Sequence, residues 1–152
     1  MMAADAWPEL PYDAWRDTCT TLHLWSQIVG KIRLSTTPWL NHGWHVALYV
    51  DPAGFTTSPM PRDGGSFELR FDFIDQVLAC HVSDGRRASI PLVPQSVAQF
   101  KSATLQMLAD LGITVAISDM PCEIAGATPF SLDHATRKYD GEAARRFHHA
   151  LA

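Results

Sequence analysis

The chain has 152 residues, of which 47% are hydrophobic and 18% charged, and its formal net charge at pH 7 is -4. This length predicts a single domain over residues 1–152, and so apolar and aromatic a composition excludes a disordered chain. The 12 Lys and Arg residues are outnumbered by 16 Asp and Glu residues, which argues against a nucleic-acid-binding surface. No apolar run approaches the roughly 20 residues of a membrane helix, so no membrane partner is expected.

Two further features predict a cytoplasmic protein. Residues 1–7 contain neither the basic region nor the apolar core of a signal peptide. Cys19, Cys80 and Cys122 are an odd number of widely spaced cysteines without a C-x-x-C pair. That pattern predicts free thiols in a reducing compartment.

Apolar residues at three- and four-residue steps predict a first helix from residue 11 to about residue 34. Pro11 suits its first turn, and Pro38 lies beyond its far end. Gly30 costs a helix interior roughly 1 kcal/mol relative to Ala, so the last turn is expected to be frayed or closely packed. The helical face expected to be apolar consists of Trp15, Cys19, Leu22, Trp25, Val29 and Ile32.

Between Trp44 and Leu92 the apolar period changes to two, which predicts an antiparallel meander. The first strand is expected over Trp44–Val50, and Phe55–Ser58 would return as its partner after the turn at Asp51–Gly54. Prolines and glycines then predict an exposed loop over residues 59–65.

The next hairpin has a register that the sequence predicts in detail. If Ile74 and Asp75 form the turn, apolar residues face one another across the two strands. The same register sets Glu68 opposite His81 on the other face, as either a catalytic dyad or an exposed ion pair. The apolar pairs expected are Phe71 with Leu78, Leu69 with Cys80, and Phe67 with Val82.

The last third of the chain is expected to contain two helices. Ser96 and Gln99 resemble a capping box for a middle helix that ends at Gly112. A short strand over 113–117, a loop over 119–138 and a last helix capped by Asp140 follow. The predicted class is α+β: an antiparallel meander of four to six strands covered by an N-terminal, a middle and a C-terminal helix.

Aromatic residues and histidines are concentrated in the first third of the chain, which holds all five tryptophans. His23 lies at the edge of the apolar helical face, with Gln27 one turn further on. The imidazole is interpreted either as a general acid or base at a pocket mouth or as a histidine bonded to a backbone carbonyl. His45 and Tyr49 would share one face of their strand, so the two predicted catalytic groups are His23 and His45.

These side chains predict an aromatic pocket with a few polar groups between the first helix and the first hairpin, as small-molecule sites often have. The alternative for the tryptophans is a place in the core. The residues predicted to bind the ligand are Trp25, Gln27, Asn41, His42, Trp44 and Tyr49.

His42 and His45 are also three residues apart, a spacing that can bring two imidazoles to one metal ion. A third ligand would have to come from elsewhere, such as His23 or Glu68. The favoured interpretation is that these histidines form local hydrogen bonds or point into a pocket, so no metal site is predicted. The nucleotide-binding, P-loop, nucleophile-elbow and H-E-x-x-H motifs are all missing, and the identity of any cofactor stays unknown.

Seven strings are spread along nearly the whole chain: WPELPY (7–12), TLHLW (21–25), QIVGK (27–31), NHGWHV (41–46), LYV (48–50), FDFID (71–75) and SVA (96–98). These strings resemble a bacterial family of uncharacterised proteins, known only as a domain of unknown function. The resemblance implies a cytoplasmic bacterial protein and leaves open a longer two-domain architecture. In that family a second Trp often stands where this chain has Gly43, and a His often stands where it has Gln76.

Three functions follow from these observations, and whether the protein is an enzyme stays open. The first is small-molecule binding or catalysis in the predicted pocket. The second is self-association, as a homodimer, or binding to a second domain through Trp7, Trp39 and the final helix. The third is a metal-assisted hydrolase that uses His42 and His45.

Overall fold

The computed structural model describes residues 7–152 and has an α+β fold. The first six residues of the expected domain lie outside the described part of the chain. A six-stranded antiparallel sheet, a second sheet of two short strands and three α-helices make up the architecture. None of the helices in residues 7–152 is long and apolar enough to span a membrane.

The first helix, α1, spans Tyr12–Thr36 and confirms the helix predicted from the apolar pattern. Pro11 precedes it with an extended backbone, and Gly30 lies within it. The amide of Thr37 closes the last turn by donating to the carbonyl of Arg33 at 3.0 Å. The helix therefore extends two residues beyond the predicted end and is not broken at its glycine.

The strand predicted over Trp44–Val50 is wrong for most of its length. Residues Asn41–Val46 form a 3-10 helix, and only Tyr49–Val50 are a strand, β1. His42 and Gly43 both adopt positive φ angles, 54° and 73°, which an extended strand does not allow. The alternating apolar pattern therefore runs across a 3-10 helix and a two-residue strand, and its first member, Trp44, is exposed.

The remaining strands form the meander that the sequence predicts. The bounds are Gly54–Thr56 for β2, Met60–Arg62 for β3, Gly65–Asp72 for β4, Val77–Val82 for β5 and Arg87–Pro91 for β6. The sheet order is β1-β2-β4-β5-β6, and β3 also pairs with β4. The predicted loop over 59–65 thus contains a strand, which pairs with the end of β4 that β2 does not reach.

The hairpin of β4 and β5 has the predicted register, with Phe67 opposite Val82 and Phe71 opposite Leu78. Its connection has four residues and not two, because Asp72 still pairs with Val77. Gln76 takes up the reversal with a φ of 55°. The four-residue turn has the same two central residues as the predicted turn, and one residue is added on each side. The pairing of the residues in the two strands therefore stays as predicted.

The second half of the chain confirms two predicted caps and contradicts one strand. Helix α2, Val97–Asp110, begins with the capping box of Ser96 and Gln99, and helix α3, Gly141–Leu151, begins at the side chain of Asp140. Residues 113–117 have no regular structure. The predicted loop contains a 3-10 turn and β8, Thr136–Arg137, which pairs with β7, Gln95–Ser96.

Stacked aromatic rings join the helices to the sheet. Trp25 of α1 lies 4.6 Å from Phe100 of α2, and Phe100 lies 6.3 Å from Phe71 of β4, measured between ring centroids. All three side chains are buried, so they fill the space between the helices and the sheet. This packing fixes α1 against the fold and leaves its opposite face free.

Candidate functional site

An open groove of about 400 Å³ runs along the free face of α1. Its helical wall repeats at three- and four-residue steps, because those positions share one side of a helix. The end of the 3-10 helix with the residues just after it forms one further wall, and the loop before residue 130 forms another. The groove is lined by His23, Ser26, Gln27, Gly30, Lys31, Leu34, Val46, Leu48, Cys122 and Glu123.

Gln27 joins α1 to the loop on the other side of the groove. Its Nε2 donates to the carbonyl of Cys122 at 2.9 Å, and its Oε1 accepts from the Cys122 amide at 2.7 Å. One side-chain amide therefore satisfies both backbone groups of a residue that is 95 positions away. These two hydrogen bonds attach the loop to α1.

The two bonds to Cys122 also determine the state of His23. Because the Cys122 amide must donate to Oε1, the Nε2 of Gln27 is the donor nitrogen, and it lies 3.1 Å from Nε2 of His23. The Nε2 of His23 therefore accepts. In the neutral imidazole the proton is then on Nδ1, which has no hydrogen-bond partner among the described residues.

Lys31 is the cationic residue of the groove. Its Nζ lies 3.4 Å from Sγ of Cys122, one turn beyond the bonds of Gln27. None of the ion pairs found in residues 7–152 includes Lys31. Cys122 is a free and exposed thiol.

The loop that carries Cys122 is held at its start by Asp119. Lys101 Nζ lies 2.5 Å from one carboxylate oxygen, and the hydroxyl of Ser131 donates to the other. Burial by itself would raise the pKa of Asp119, but the hydrogen bonds from Lys101 and Ser131 hold that pKa below its usual range. The wall opposite α1 is therefore anchored at both Asp119 and Cys122.

Gly30 leaves the middle of the helical wall open. A Cβ atom built there would meet only the carbonyl oxygen of Val46, at the ordinary contact distance of 3.8 Å. The missing side chain is thus not required by close packing. It keeps space free between α1 and the segment that begins at Val46.

His45 is not part of this groove, contrary to the predicted pairing with His23. It lies in the 3-10 helix and is only 2% exposed. Its Nδ1 accepts from the Leu40 amide at 3.2 Å, and its carbonyl oxygen accepts from the guanidinium of Arg33. These bonds hold the turn to the end of α1. His45 thus contributes to the structure of the turn. It does not share a strand face with Tyr49, because His45 lies in the 3-10 helix and Tyr49 in β1.

The other residues predicted to bind a ligand are distributed over four places. Gln27 lines the groove, while Trp25 is fully buried in the core. Asn41, His42 and Trp44 lie on the 3-10 helix, outside the groove lining. Tyr49 lies over the guanidinium of Arg33, with the ring centroid 5.2 Å from Cζ.

The structure also tests the two other constellations. Within residues 7–152, no group of three or more His, Cys, Asp and Glu residues is arranged to hold a metal ion. His42 and His45 thus acquire no third ligand there. Glu68 lies opposite His81 as predicted, but its carboxylate accepts from Thr56 at 2.6 Å and from Arg70 at 3.1 Å.

The sequence contained a signal for part of the groove that the prediction missed. Lys31 is four residues after Gln27 and eight after His23, so the helical period already placed it on their face. Cys122 and Glu123 carry no comparable signal, because a loop distant in the sequence brings them there.

Comparisons with curated proteins and with solved structures found no match for this chain. A protein-family model matches residues 7–152, which is nearly the whole chain. The chain therefore belongs to the family of unknown function DUF5996.

Proposed function

We propose that this protein binds a small organic molecule in the groove along α1. The observation that carries the proposal is the contrast between its walls. Polar groups of His23, Gln27 and Lys31 line one side, and the apolar side chains of Val46 and Leu48 line another. A volume of about 400 Å³ lies within the range of ligand sites, which is roughly 300–1,000 Å³.

The attachments of the groove support binding without a large rearrangement. Gln27 holds the Cys122 loop to α1, and Asp119 anchors the start of that loop. A ligand that meets preorganised groups loses less free energy to ordering them. In this proposal His23 polarises the ligand through Nδ1–H, whereas His45 acts only by shaping the turn.

A screen of fluorinated fragments by ligand-observed NMR tests the proposal. We expect fragments whose signals broaden with the wild-type protein to lose that broadening with Gly30→Leu, because the new side chain fills the space beside Val46. Gly30→Ala is the matched control: its single methyl group meets only an ordinary contact, so binding should persist. Equal binding by Gly30→Leu and wild type, with both folded, would overturn the proposal.

A second candidate function is self-association or partner binding through exposed aromatic residues. Trp39 and Trp44 are 72% and 69% exposed, and Leu40 beside them is also exposed. Large exposed apolar patches often mark contact surfaces. The final helix was predicted to belong to the same surface. Its Phe147 packs within the chain against Trp15, with ring centroids 4.7 Å apart.

Sedimentation equilibrium tests this second candidate over a wide concentration range. We expect a dimer that Trp39→Ser combined with Trp44→Ser converts to monomer without lowering the melting temperature. A wild-type monomer throughout that range would exclude self-association.

We also propose a cytoplasmic location, which the three free cysteines support because disulfides rarely persist in that compartment.

A further inference from the structure

We infer that the ligand of the groove is an organic monocarboxylate with an apolar body, whose acid group binds Lys31. This inference rests on the proposed function and specifies its ligand class.

Lys31 provides a positive charge that belongs to none of the ion pairs of the described residues. Its one recorded polar contact is the weak acceptor Sγ of Cys122 at 3.4 Å. An ammonium has three donors, so further donors remain for a ligand. A carboxylate is a strong partner for such a group.

The sequence around Lys31 is free of acidic residues, although the chain as a whole is acidic. No Asp or Glu occurs between Asp17 and Asp51, while the formal net charge of the chain is -4. That stretch supplies eight of the ten lining residues. An anion that approaches the groove therefore meets no carboxylate from residues 23–34 of α1 or from residues 46–48.

His23 adds a second donor to the same wall. Because Nε2 accepts from Gln27, the neutral ring presents Nδ1–H as its free polar group. The Oε1 of Gln27 is already occupied by the Cys122 amide at 2.7 Å. The wall of α1 consequently offers donors from Lys31 and His23, which matches a ligand rich in acceptor oxygens.

Glu123 sets an upper limit on the charge of the ligand. It is the one acidic side chain among the ten that line the groove, and it lies on the loop opposite α1. A second negative charge on the ligand would be repelled by this carboxylate. The groove thus favours a monoanion over a dianion such as a phosphate monoester.

The apolar body would lie against the far part of the groove. Leu34 follows Lys31 by one turn, about 4.5 Å along the helix axis. The backbone of Val46 lies beside Gly30, one position before Lys31. The side chains of Leu34, Val46 and Leu48 line the same groove as the ammonium of Lys31. The groove can therefore receive the acid group of the ligand at Lys31 and its apolar body against these side chains.

Three probes that differ mainly in their polar end test this inference: phenylpropanoate, phenylpropanamide and phenylpropylamine. We expect the acid to bind the wild-type protein about tenfold more tightly than the amide, with the amine weakest, by NMR titration at pH 7. Lys31→Gln should reduce the affinity for the acid to that for the amide and leave the amide unchanged. Lys138→Gln, which removes an exposed lysine elsewhere, should change none of the three.

The outcomes separate the inference from the proposed function. Equal affinities for acid and amide, or an unchanged acid affinity in Lys31→Gln, would overturn the inference even if Gly30→Leu abolishes binding. The same holds if none of the three probes binds while neutral fragments bind in a manner sensitive to Gly30→Leu. If no fragment or probe binds the groove at all, both proposals are wrong.

Discussion

At the scale of single residues, the side-chain amide of Gln27 is the group on which the groove depends most. It bonds to both backbone groups of Cys122 and also contacts His23. Two hydrogen bonds of this kind contribute roughly 0.5–1.5 kcal/mol each. The loop position and the histidine tautomer are thus coupled through one residue.

Removal of this amide should loosen the loop. We expect Gln27→Ala to speed hydrogen exchange at the Cys122 amide and to lower the free energy of unfolding by about 1 kcal/mol. Gln106→Ala is the matched control, since Gln106 donates only to Asp110 one turn away on an exposed helical face. Unchanged exchange at Cys122 in the Gln27 variant would contradict the described attachment.

The three thiols should differ in reactivity because their surroundings differ. Cys122 is exposed, whereas burial raises the pKa of Cys19 and raises the pKa of Cys80 to about 11. At pH 8 only about one Cys80 thiol in a thousand is then ionised, and the thiolate is the reactive form.

We therefore expect a coloured disulfide reagent to modify Cys122 first in the folded protein and Cys80 only after unfolding. Cys122→Ser should remove the fast phase and leave the later phases unchanged. If the fast phase persists in that variant, another thiol is exposed and the described burial is incorrect.

The helical period correctly predicted which residues share a face of α1. His23 and Gln27 lie together on α1 as expected from their spacing, and the same period could have identified Lys31. His45 was misplaced because the alternation from Trp44 to Val50 imitates a half-buried strand. The better signal was Asn-His-Gly at 41–43, a composition typical of turns that need positive φ angles.

At the scale of elements, α1 contains Gly30, a residue type that lowers the stability of a helix interior. Gly30→Ala should raise the free energy of unfolding by up to about 1 kcal/mol, because alanine is the better helix former. For a chain of this size that corresponds to a melting temperature about 3 °C higher. The new methyl group would meet only the Val46 carbonyl, at 3.8 Å.

Gly54 in β2 provides the opposite case for the same calorimetric measurement. A Cβ atom there would lie 1.8 Å from the carbonyl oxygen of Phe71, so Gly54→Ala must displace β2 from β4. We expect the melting temperature of that variant to fall. Equal shifts in the same direction for both glycines would show that the two environments have been described wrongly.

Elements with strong local rules were predictable, and those set by distant contacts were not. The β4–β5 register follows from apolar pairing, and the starts of α2 and α3 follow from their caps. The apolar run over 113–117 resembles a strand but has no regular structure, although Ile113 is buried in the core. Nothing local to that run reveals this outcome.

At the scale of the whole molecule, the core and the groove lie on opposite sides of α1. Leu69 lies in the fully buried face of the sheet, and Leu69→Ala should cost about 2–5 kcal/mol in denaturant unfolding. Ile74→Ala, in the exposed turn after β4, should cost less than about 0.5 kcal/mol. Similar costs for both variants would contradict the assignment of the core.

One segment without acidic residues contributes to both candidate surfaces of the molecule. Acidic residues are absent between Asp17 and Asp51, and that stretch contains both the helical wall of the groove and the exposed Trp39 and Trp44. Small-molecule binding and association through the tryptophans would therefore use adjoining parts of one segment. They remain separable, since Gly30→Leu affects only the first and substitution of the tryptophans only the second.

The most direct test of the central claim is a map of amide shifts in the two-dimensional NMR spectrum during titration with phenylpropanoate. The account predicts that the shifted signals belong to residues 23–34 of α1, to residues 46–48 and to the loop at 122–123, and that Gly30→Leu abolishes the shifts. Shifts confined to other surfaces, or the same shifts in Gly30→Leu, would contradict a binding groove along α1.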